Sequence, residues 1–162
     1  RSMKGIIQSI ATNVFRAGDT GFPSGTGLDE AKINYVLRQI WENSSGNVDL
    51  IVVGGYQKRK INSFLTASRS FGPADSTYTD MVSVYESDFG VCRIITSRWV
   101  PQDAVLLLDS SRISVLPMAG RSFHFKPLAS SGDYECGQLI GEYTLEFKNE
   151  AAHGVIRDLA VS

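Results

Sequence analysis

The chain has 162 residues, 43% of them apolar and 20% charged, a composition typical of one globular domain, or one domain with an appendage, and not of a disordered chain. Its net charge of −1 gives no overall basic field for nucleic acid or an anionic membrane, and the one basic cluster, Lys58-Arg59-Lys60, is interpreted as a solvated helix face. Its two cysteines exclude a disulfide framework, and its apolar runs are too short to predict a membrane span.

The first predicted elements are a short apolar segment, a loop and a helix. The segment runs from Lys4 to Ile10, and a Gly-, Ser-, Thr- and Pro-rich stretch over 17–27 predicts an exposed loop. Thr26 can cap a helix that starts near Leu28. Apolar residues then recur at helical spacing until about residue 43, namely Ile33, Val36, Leu37 and Ile40, with Trp41 beside them.

A buried strand and a second helix follow. The β-branched run over 49–53 predicts the strand, which Gly54-Gly55 ends. The helix is predicted from about Tyr56 to Ala67, with three apolar side chains facing inward: Ile61, Phe64 and Leu65.

The second half of the chain is predicted to be mostly β-structure. Strand-like stretches cover 81–86, 91–97, 104–108, 113–118 and 122–126, and Asp88-Phe89-Gly90 indicates a tight hairpin between the first two. Over 142–148 apolar and polar residues alternate, which predicts one half-buried strand of an antiparallel sheet. Asn149-Glu150 is predicted to turn the chain so that 152–159 pair with that strand. The expected fold class is therefore α+β.

No motif for catalysis or metal binding is present. His124 and His153 lie in strand-like stretches without a nucleophile or an orienting partner nearby in the sequence, so both are interpreted as structural. Together with Cys92 and Cys136 they lack the close spacing of a zinc site, and the acidic residues over 75–88 do not follow a calcium-loop register. No catalytic residue, cofactor-binding residue or metal ligand is assigned.

Glycine-containing turns and aromatic residues raise two other possible functions, phosphate binding and the binding of single-stranded nucleic acid. Gly54-Gly55 lies between an apolar strand and a helix, where anions bind, but it lacks the full dinucleotide and Walker motifs. Gly25-Thr26-Gly27 is interpreted as a loop. Aromatic residues of the second half could stack on bases, but basic residues do not interleave with them, so they are interpreted as core packing: Tyr78, Tyr85, Phe89, Trp99, Phe123, Phe125, Tyr134, Tyr143 and Phe147.

Several stretches, taken in order after the first helix, carry a resemblance to a known family. They are LIVVGGYQKRKI (50–61), VYESDFGV (84–91), IITSRWVP (94–101), VLLLD (105–109), ISVLPMAGRSF (113–123) and GEYTLEFKNEAAHGV (141–155). In this order and spacing, residues from about Leu28 to Leu159 resemble the major capsid proteins of tailed bacteriophages that have the Hong Kong 97-like fold. No single stretch is specific for that family.

The resemblance implies an α+β fold in four parts. These are an N-terminal segment and loop (1–27), the end of the spine helix of the peripheral domain (28–48), an axial-like domain (49–120) and long antiparallel peripheral-domain strands that return (121–162). It implies a structural coat subunit and not an enzyme, one that tiles into an icosahedral shell around double-stranded DNA. The loop over 68–79 becomes a candidate for contacts about the local symmetry axes.

The implied partners are other copies of the chain in hexamers and pentamers, scaffolding, portal or decoration proteins, and packaged DNA bound non-specifically. No cofactor and no membrane is implied, and the implied location is the virion capsid, with the host cytoplasm before assembly. Family members are about twice as long and carry an N-terminal arm and an extended hairpin loop, so the chain is expected to be a C-terminal portion. Two alternatives stay open: a nucleotide- or small-molecule-binding enzyme that uses the Gly54-Gly55 turn, and a bacterial nanocompartment shell protein of the same fold.

Overall fold

The computed structural model describes residues 3–67, 83–129, 132–133 and 135–161. Within them the helices are α1 (Ile6–Ser9), α2 (Glu30–Asn43) and α3 (Gly55–Ala67). The strands, in chain order, are β1 (Val14–Arg16), β2 (Leu50–Val53), β3 (Val84–Ser87), β4 (Gly90–Thr96), β5 (Val105–Leu108), β6 (Ile113–Pro117), β7 (His124–Pro127), β8 (Gly137–Ile140), β9 (Tyr143–Phe147) and β10 (Gly154–Arg157). Short 3-10 turns, Ser110–Arg112 and Glu150–Ala152, precede β6 and β10.

Six of these strands form one mixed sheet in the order β1-β10-β5-β2-β4-β3. β1 is parallel to β10 and β2 is parallel to β4, whereas the other neighbours are antiparallel. The predicted hairpin between β3 and β4 is confirmed, because Ser87 pairs with Gly90 across a two-residue loop. Gly90 has a φ of 136°, which glycine adopts without the steric cost of a side chain.

Helix α2 covers one face of the sheet with the predicted apolar stripe. Ile33, Val36, Leu37 and Ile40 are almost fully buried and belong to the cluster that contains the inward residues of β2, β4 and β5. Burying each such side chain contributes about 1.5–3 kcal/mol, before the loss of chain entropy is subtracted. The predicted stripe is therefore confirmed, although Trp41 beside it is 65% exposed and contacts the ring of Phe89.

The predicted start of α2 is wrong by two residues. The helix begins at Glu30 with Asp29 at the N-cap position, and Thr26 does not cap it. The backbone oxygen of Thr26 instead accepts a hydrogen bond from the N–H of Ala160, at 2.7 Å, which joins the loop to the end of the chain. Lys32 joins the same loop to α2, because its fully buried Nζ donates a hydrogen bond to the backbone oxygen of Ser24 at 3.0 Å.

Helix α3 begins at Gly55, one residue before the predicted start, and packs on the same side of the sheet through Ile61, which is fully buried, and Phe64, which is half-buried. The side chain of Leu65 lies outside the described residues, as do Met81 and the loop over 68–79 for which axial contacts are expected.

The opposite face of the sheet, which we call the open face, is only partly covered. Over β5 and β10 it is packed by α1, by Val100 and Ala104, and by Ile113 and Phe147. Over β3 and β4 the outward side chains of Val84, Val91 and Ile95 stay exposed. Among residues 3–67, 83–129, 132–133 and 135–161, the sheet therefore has one complete apolar layer and one incomplete layer.

The remaining four strands form a long two-stranded antiparallel ribbon, residues 113–147, which we call the ribbon. β6 pairs with β9 from Ile113–Phe147 to Pro117–Tyr143, and β7 pairs with β8 from His124–Ile140 to Pro127–Gly137. The ribbon leaves the sheet after β5 and returns to it before β10, which is the neighbour of β5. The ribbon is therefore an insertion between two neighbouring strands of the sheet, and it projects from that sheet.

The predicted pairing of 152–159 with the strand over 142–148 is wrong. β9 pairs with β6, whereas β10 pairs with β1 and β5 in the sheet. Asn149 adopts the left-handed conformation, with a φ of 45°, and a 3-10 turn follows it, so the chain changes direction before β10 begins. The predicted turn at Asn149-Glu150 is present, but it leads the chain into a different sheet.

Candidate functional site

The ribbon displays apolar side chains that nothing in the described part of the chain covers. Phe125 and Leu139 face each other across β7 and β8, and they are 65% and 72% exposed. Phe123 is 70% exposed, and its ring lies 5.3 Å from that of Tyr143, which is 39% exposed. Every residue of β7 is exposed. Because a two-stranded ribbon is marginally stable alone in water, these exposed apolar side chains make the ribbon a candidate interaction surface.

Polar pairs along the ribbon hold its two strands in register. Arg121 and Glu142 form an ion pair across the strands, and the hydroxyl of Ser114 donates to Glu146 at 2.8 Å. The Ser114 hydrogen bond and the nearby Lys148 hold the pKa of Glu146 below its usual range. Such cross-strand contacts specify the pairing of residues, so the exposed apolar side chains are presented in a defined order.

The root of the ribbon is a buried polar cluster around Asp109 and His153. The backbone N–H of Asp109 donates to Nδ1 of His153 at 3.2 Å, and the imidazole, which is fully buried, packs 4.2 Å from the ring of Phe147. Burial lowers the pKa of His153, although the backbone of Lys148 and the charge of Asp109 oppose the shift. The ring therefore serves as a neutral hydrogen-bond acceptor.

Asp109 also fixes the turn from which β6 starts. Its carboxylate accepts hydrogen bonds from Ser111, and it pairs with Nε of Arg112 at 2.9 Å. Burial acts to raise the pKa of Asp109, but these hydrogen bonds hold it below its ordinary value. Arg112 donates in addition to the backbone oxygen of Ser45 after α2, at 3.1 Å. The root thus links the ribbon to the helical layer.

The returning end of the ribbon is tied to the N-terminal segment. Glu150 accepts hydrogen bonds from the backbone N–H groups of Ala11 and Thr12, at 2.8 and 3.1 Å, and from the Thr12 hydroxyl. Although burial favours its neutral form, these bonds hold the pKa of Glu150 below its usual range. Asn13, which is buried, donates to the backbone oxygens of Ala151 and His153. Both ends of the ribbon are therefore anchored by charged or amide side chains.

A concave apolar surface lies on the open face beside α1. It is a cavity of about 610 Å³, which we call the groove, lined by residues of α1 and by Met3, Val52, Trp99, Val100, Leu106 and Leu108. Trp99, at its rim, is 87% exposed, and Met3 is also exposed. Lys4 and Arg98, which adjoin these two residues in sequence, are exposed cations. The groove therefore has a mainly apolar lining.

The Gly54-Gly55 turn, a candidate anion site by sequence, is occupied by a side chain of the chain itself. Oε1 of Gln102 accepts the N–H of Tyr56 at 2.8 Å, which is one of the amides that an anion at this helix end would take. A Cβ on Gly54 would lie 2.9 Å from that same oxygen. The glycine is needed for this close approach, and the geometry favours a structural cap over a phosphate site.

The other residues weighed by sequence lie apart from one another. His124 is exposed on β7, and Cys136 is exposed in the ribbon, whereas Cys92 is buried in β4, where burial and Asp49 raise the pKa of its thiol to about 11. Among the described residues no group of three or more His, Cys, Asp or Glu side chains is placed to hold a metal ion. No helix of the described chain is long and apolar enough to cross a membrane.

In the basic cluster on α3, Arg59 and Lys60 line a polar cavity of about 280 Å³ with Tyr56, whose ring lies 5.6 Å from Nζ of Lys60. Arg59 and Lys60 are exposed, as expected of a solvated helix face. Lys58 is half-buried, and burial lowers its pKa.

The interpretation of the aromatic residues as core packing is wrong for four of them. Tyr85 is buried, and Phe89 and Phe147 are half-buried, as expected, but Phe123, Phe125, Trp99 and Tyr143 are exposed. Tyr78 and Tyr134 lie outside the described residues. Strand periodicity shows which side chains share a face, but it does not show whether a second layer covers that face. Sequence reasoning therefore found these residues but did not predict their exposure.

Comparison with known proteins identifies the fold. The chain aligns with the SrpI encapsulin of Synechococcus elongatus PCC 7942, solved as a holo complex, with a TM-score of 0.59 and 14% identity over 98% of this chain and 57% of that one. It aligns with the procapsid of satellite phage P4, solved with its size determination (Sid) protein, with a TM-score of 0.55 and 14% identity over 91% of this chain and 47% of that one. The chain thus spans about half the length of these solved proteins.

These likenesses confirm the predicted α+β, Hong Kong 97-like fold. The profile of one sequence family, described as SU10 major capsid protein, matches residues 1–160. No curated protein sequence matches the chain.

Proposed function

Because this chain belongs to the SU10 major capsid protein family, and is therefore a structural coat protein of a bacteriophage, we propose that its copies tile into an icosahedral shell around double-stranded DNA. The observation that carries the proposal is the family match, which spans residues 1–160 of the 162. The proposed role is the formation of repeated contacts between copies and involves no catalytic turnover.

The division of the chain stays part of the proposal: an N-terminal segment (1–27), the end of a spine helix (28–48), an axial part (49–120) and returning peripheral strands (121–162). The axial part would meet its copies about fivefold and sixfold axes, in pentamers and hexamers. Scaffolding, portal or decoration proteins would be further partners, and packaged DNA would be contacted non-specifically. Assembly would begin in the host cytoplasm.

The apolar surfaces of the single chain support assembly through many modest contacts. The ribbon and the open face expose apolar side chains that a stable monomer has reason to bury, and each contact gains free energy from the area removed from water. A net charge of −1 gives little repulsion between copies. Such contacts, repeated about rotational axes, close into rings and shells.

An encapsulin-type shell that encloses material other than DNA is the second candidate, and the likeness to the SrpI encapsulin favours it. The two candidates differ in what the particle holds. Particles purified after nuclease treatment would retain protected double-stranded DNA under the first proposal and none under the second.

Electron microscopy and native mass spectrometry of the chain test whether copies associate. Five- and sixfold rings or curved sheets that grow with protein concentration are expected. A chain that stays monomeric at every concentration, up to the millimolar range at which weak interfaces with Kd near 1 mM become populated, would contradict the proposal.

A further inference from the structure

The ribbon is joined to the sheet through two short 3-10 turns, Ser110–Arg112 on the outgoing side and Glu150–Ala152 on the returning side. On the sheet side of these turns β5 pairs with β10, and on the ribbon side β6 pairs with β9. The strand ladder is therefore interrupted at the root, between the sheet and the ribbon. Hinges in proteins lie at such places, where a few residues at the ends of elements absorb a change of backbone direction.

One hydrogen bond on the sheet side of the turns joins the outgoing side of the root to the returning side. The backbone N–H of Asp109 donates it to Nδ1 of His153 at 3.2 Å. A ring nitrogen that accepts a hydrogen bond carries no proton, so the neutral imidazole holds its proton on Nε2. A second proton would have to occupy Nδ1, where it would point at the N–H of Asp109. The hydrogen bond and the protonated ring therefore exclude each other.

The surroundings of the imidazole keep it neutral while the root is closed. It is fully buried and packs 4.2 Å from the ring of Phe147. The charged groups that face it are the carboxylates of Asp109 and Glu150, which favour the imidazolium, and the guanidinium of Arg112, which opposes it. Burial outweighs the carboxylates and lowers the pKa of His153 below 6.5. Uncharged groups complete this side of the root: the backbone of Lys148, the amide of Asn13, and Val36 and Ile40 of α2 beside Gly154.

We propose that the root is a proton-controlled hinge, in which protonation of His153 breaks its hydrogen bond with Asp109 and lets the ribbon turn relative to the sheet. The hinge consists of residues 109–112 and 148–153. The proton enters from water at Nδ1, and the imidazolium leaves its contact with Phe147 to become hydrated. Acid thus changes the direction in which the ribbon leaves the sheet. The proposal concerns a single copy and does not depend on the proposed association of copies.

Each turn keeps an anchor that can serve as the pivot of this movement. The N–H of Ser110 donates to the carboxylate of Asp49 at 2.7 Å on the outgoing side. On the returning side, Glu150 accepts hydrogen bonds from the N–H groups of Ala11 and Thr12 at 2.8 and 3.1 Å. Neither anchor includes a histidine, so both persist when His153 gains a proton. Opening the root therefore leaves the ribbon attached and changes its direction.

The hinge should respond to pH between about pH 5 and pH 6.5. In the open root the imidazole reaches water and regains its ordinary pKa of 6.5, whereas the closed root binds the proton less well. Lowering the pH below about 6.5 therefore favours the open root, and its ratio to the closed root rises by up to about tenfold per pH unit. Hydrogen bonds hold the pKa of Asp109 and Glu150 below their usual values of 3.8 and 4.5, so both carboxylates stay ionised over this range.

Single-molecule FRET measures the direction of the ribbon at picomolar concentration, at which copies are separate. One dye is placed on the exposed thiol of Cys136 in the ribbon and the other on Ala31→Cys in α2, while the buried Cys92 stays unlabelled. A second FRET population is expected to grow from about pH 6.5 to about pH 5, by up to about tenfold per pH unit relative to the first. Far-UV circular dichroism should stay unchanged over this range, because the sheet remains folded.

Two variants of the labelled chain distinguish His153 from the other histidine. His153→Gln keeps an oxygen that can accept the N–H of Asp109 and has no proton to gain, so its FRET distribution should not change with pH. His124→Gln is the matched control, because it changes the exposed histidine of β7, and it should keep the full response. The hinge is wrong if the unchanged chain shows one population at every pH, if His153→Gln still responds, if His124→Gln does not respond, or if the response accompanies loss of the dichroism signal.

Nuclear magnetic resonance of the unchanged chain tests the same hydrogen bond if His153→Gln fails to fold. The amide of Asp109 should lose its protection from hydrogen exchange over the pH range in which the ring of His153 gains its second proton. The amide of Lys148, which donates to the backbone oxygen of Arg112 at 2.9 Å within the ribbon, should stay protected and provides the internal control. A ring that stays neutral down to about pH 5, or that gains its proton while the Asp109 amide stays protected, would overturn the inference. A chain whose copies never associate would contradict the proposed function and leave the hinge unaffected.

Discussion

Substitution of Gly46 by alanine tests the packing between α2 and the root of the ribbon. A Cβ at this position would lie 2.5 Å from Cβ and 2.8 Å from Cα of Ala152, in the 3-10 turn that leads the ribbon back into β10. Carbon atoms pack favourably at about 3.5–4.0 Å, so the new methyl group overlaps its neighbour by roughly 1 Å. Because one of the atoms belongs to the backbone, no side-chain rotation relieves the overlap.

The expected cost follows from these distances. Overpacking costs about 1–3 kcal/mol, and a clash with backbone places this variant at the upper end of that range. Alanine also restricts the unfolded chain more than glycine does, and this stabilises the folded state by about 0.4–1 kcal/mol. Gly46→Ala should therefore lower the free energy of unfolding by about 2 kcal/mol, measured by urea denaturation with an unchanged slope.

The matched control is Gly55→Ala, at the start of α3. A Cβ there would meet nothing within 4 Å, and alanine favours a helix over glycine, so the variant should be neutral or more stable by up to about 1 kcal/mol. Ala152→Gly in the Gly46→Ala background should recover part of the loss, since it removes the nearer of the two contacts. If Gly46→Ala unfolds within about 0.5 kcal/mol of the unchanged chain, the close approach does not constrain the root and the reasoning fails.

Three further predictions concern the buried histidine, the glycine turn and the thiols. Because burial holds the pKa of His153 below 6.5, the unfolded chain binds a proton where the folded chain does not, and the free energy of unfolding should fall below about pH 6.5 by at most about 1.4 kcal/mol per pH unit. In His153→Gln this dependence should be lost; an equal slope in both chains, measured by urea denaturation, would refute the assignment. Gln102→Ala should cost about 1 kcal/mol by leaving the N–H of Tyr56 without its cap, while millimolar ATP should not shift the melting temperature of the unchanged chain; a clear rise would favour the nucleotide-binding alternative. Iodoacetamide at about pH 8 should modify Cys136 in the folded chain and spare Cys92, because Cys92 is buried and its pKa is raised to about 11. Mass spectrometry that found Cys92 modified to the same extent as Cys136 would contradict this prediction.

Elements that depend on local signals were predictable from the sequence. The stripe from Ile33 to Ile40 has helical period, and α2 buries it; the run over 50–53 is continuous and apolar, and β2 lies inside the sheet. The turn at Asp88-Phe89 connects adjacent strands, so its geometry is decided within a few residues. β1 and β8, in contrast, were missed, because three or four residues carry too little periodicity to distinguish a strand from a loop.

Pairing and exposure were not predictable, because both depend on distant residues. The alternation over 143–147 indicated a strand, but its partner β6 lies about 30 residues earlier, and a left-handed Asn149 redirects the chain that follows. The exposed aromatic side chains of the ribbon look like core residues in sequence, since an exposed Phe125 and a buried one fit the same pattern. They differ only in whether a second layer covers them, and within the described residues no such layer lies over the ribbon.

The ribbon joins two strands that are already neighbours. β5 and β10 pair with each other, Leu107 opposite Gly154, so the 45 residues between Leu108 and Gly154 form in effect the loop of a hairpin within the sheet. The entropic cost of closing a loop rises only slowly with its length. The stability of the sheet therefore depends little on how long the ribbon is or how apolar it is. The ribbon, which is part of the surface proposed for contacts between copies, can therefore change in length and sequence while the sheet that holds it stays the same.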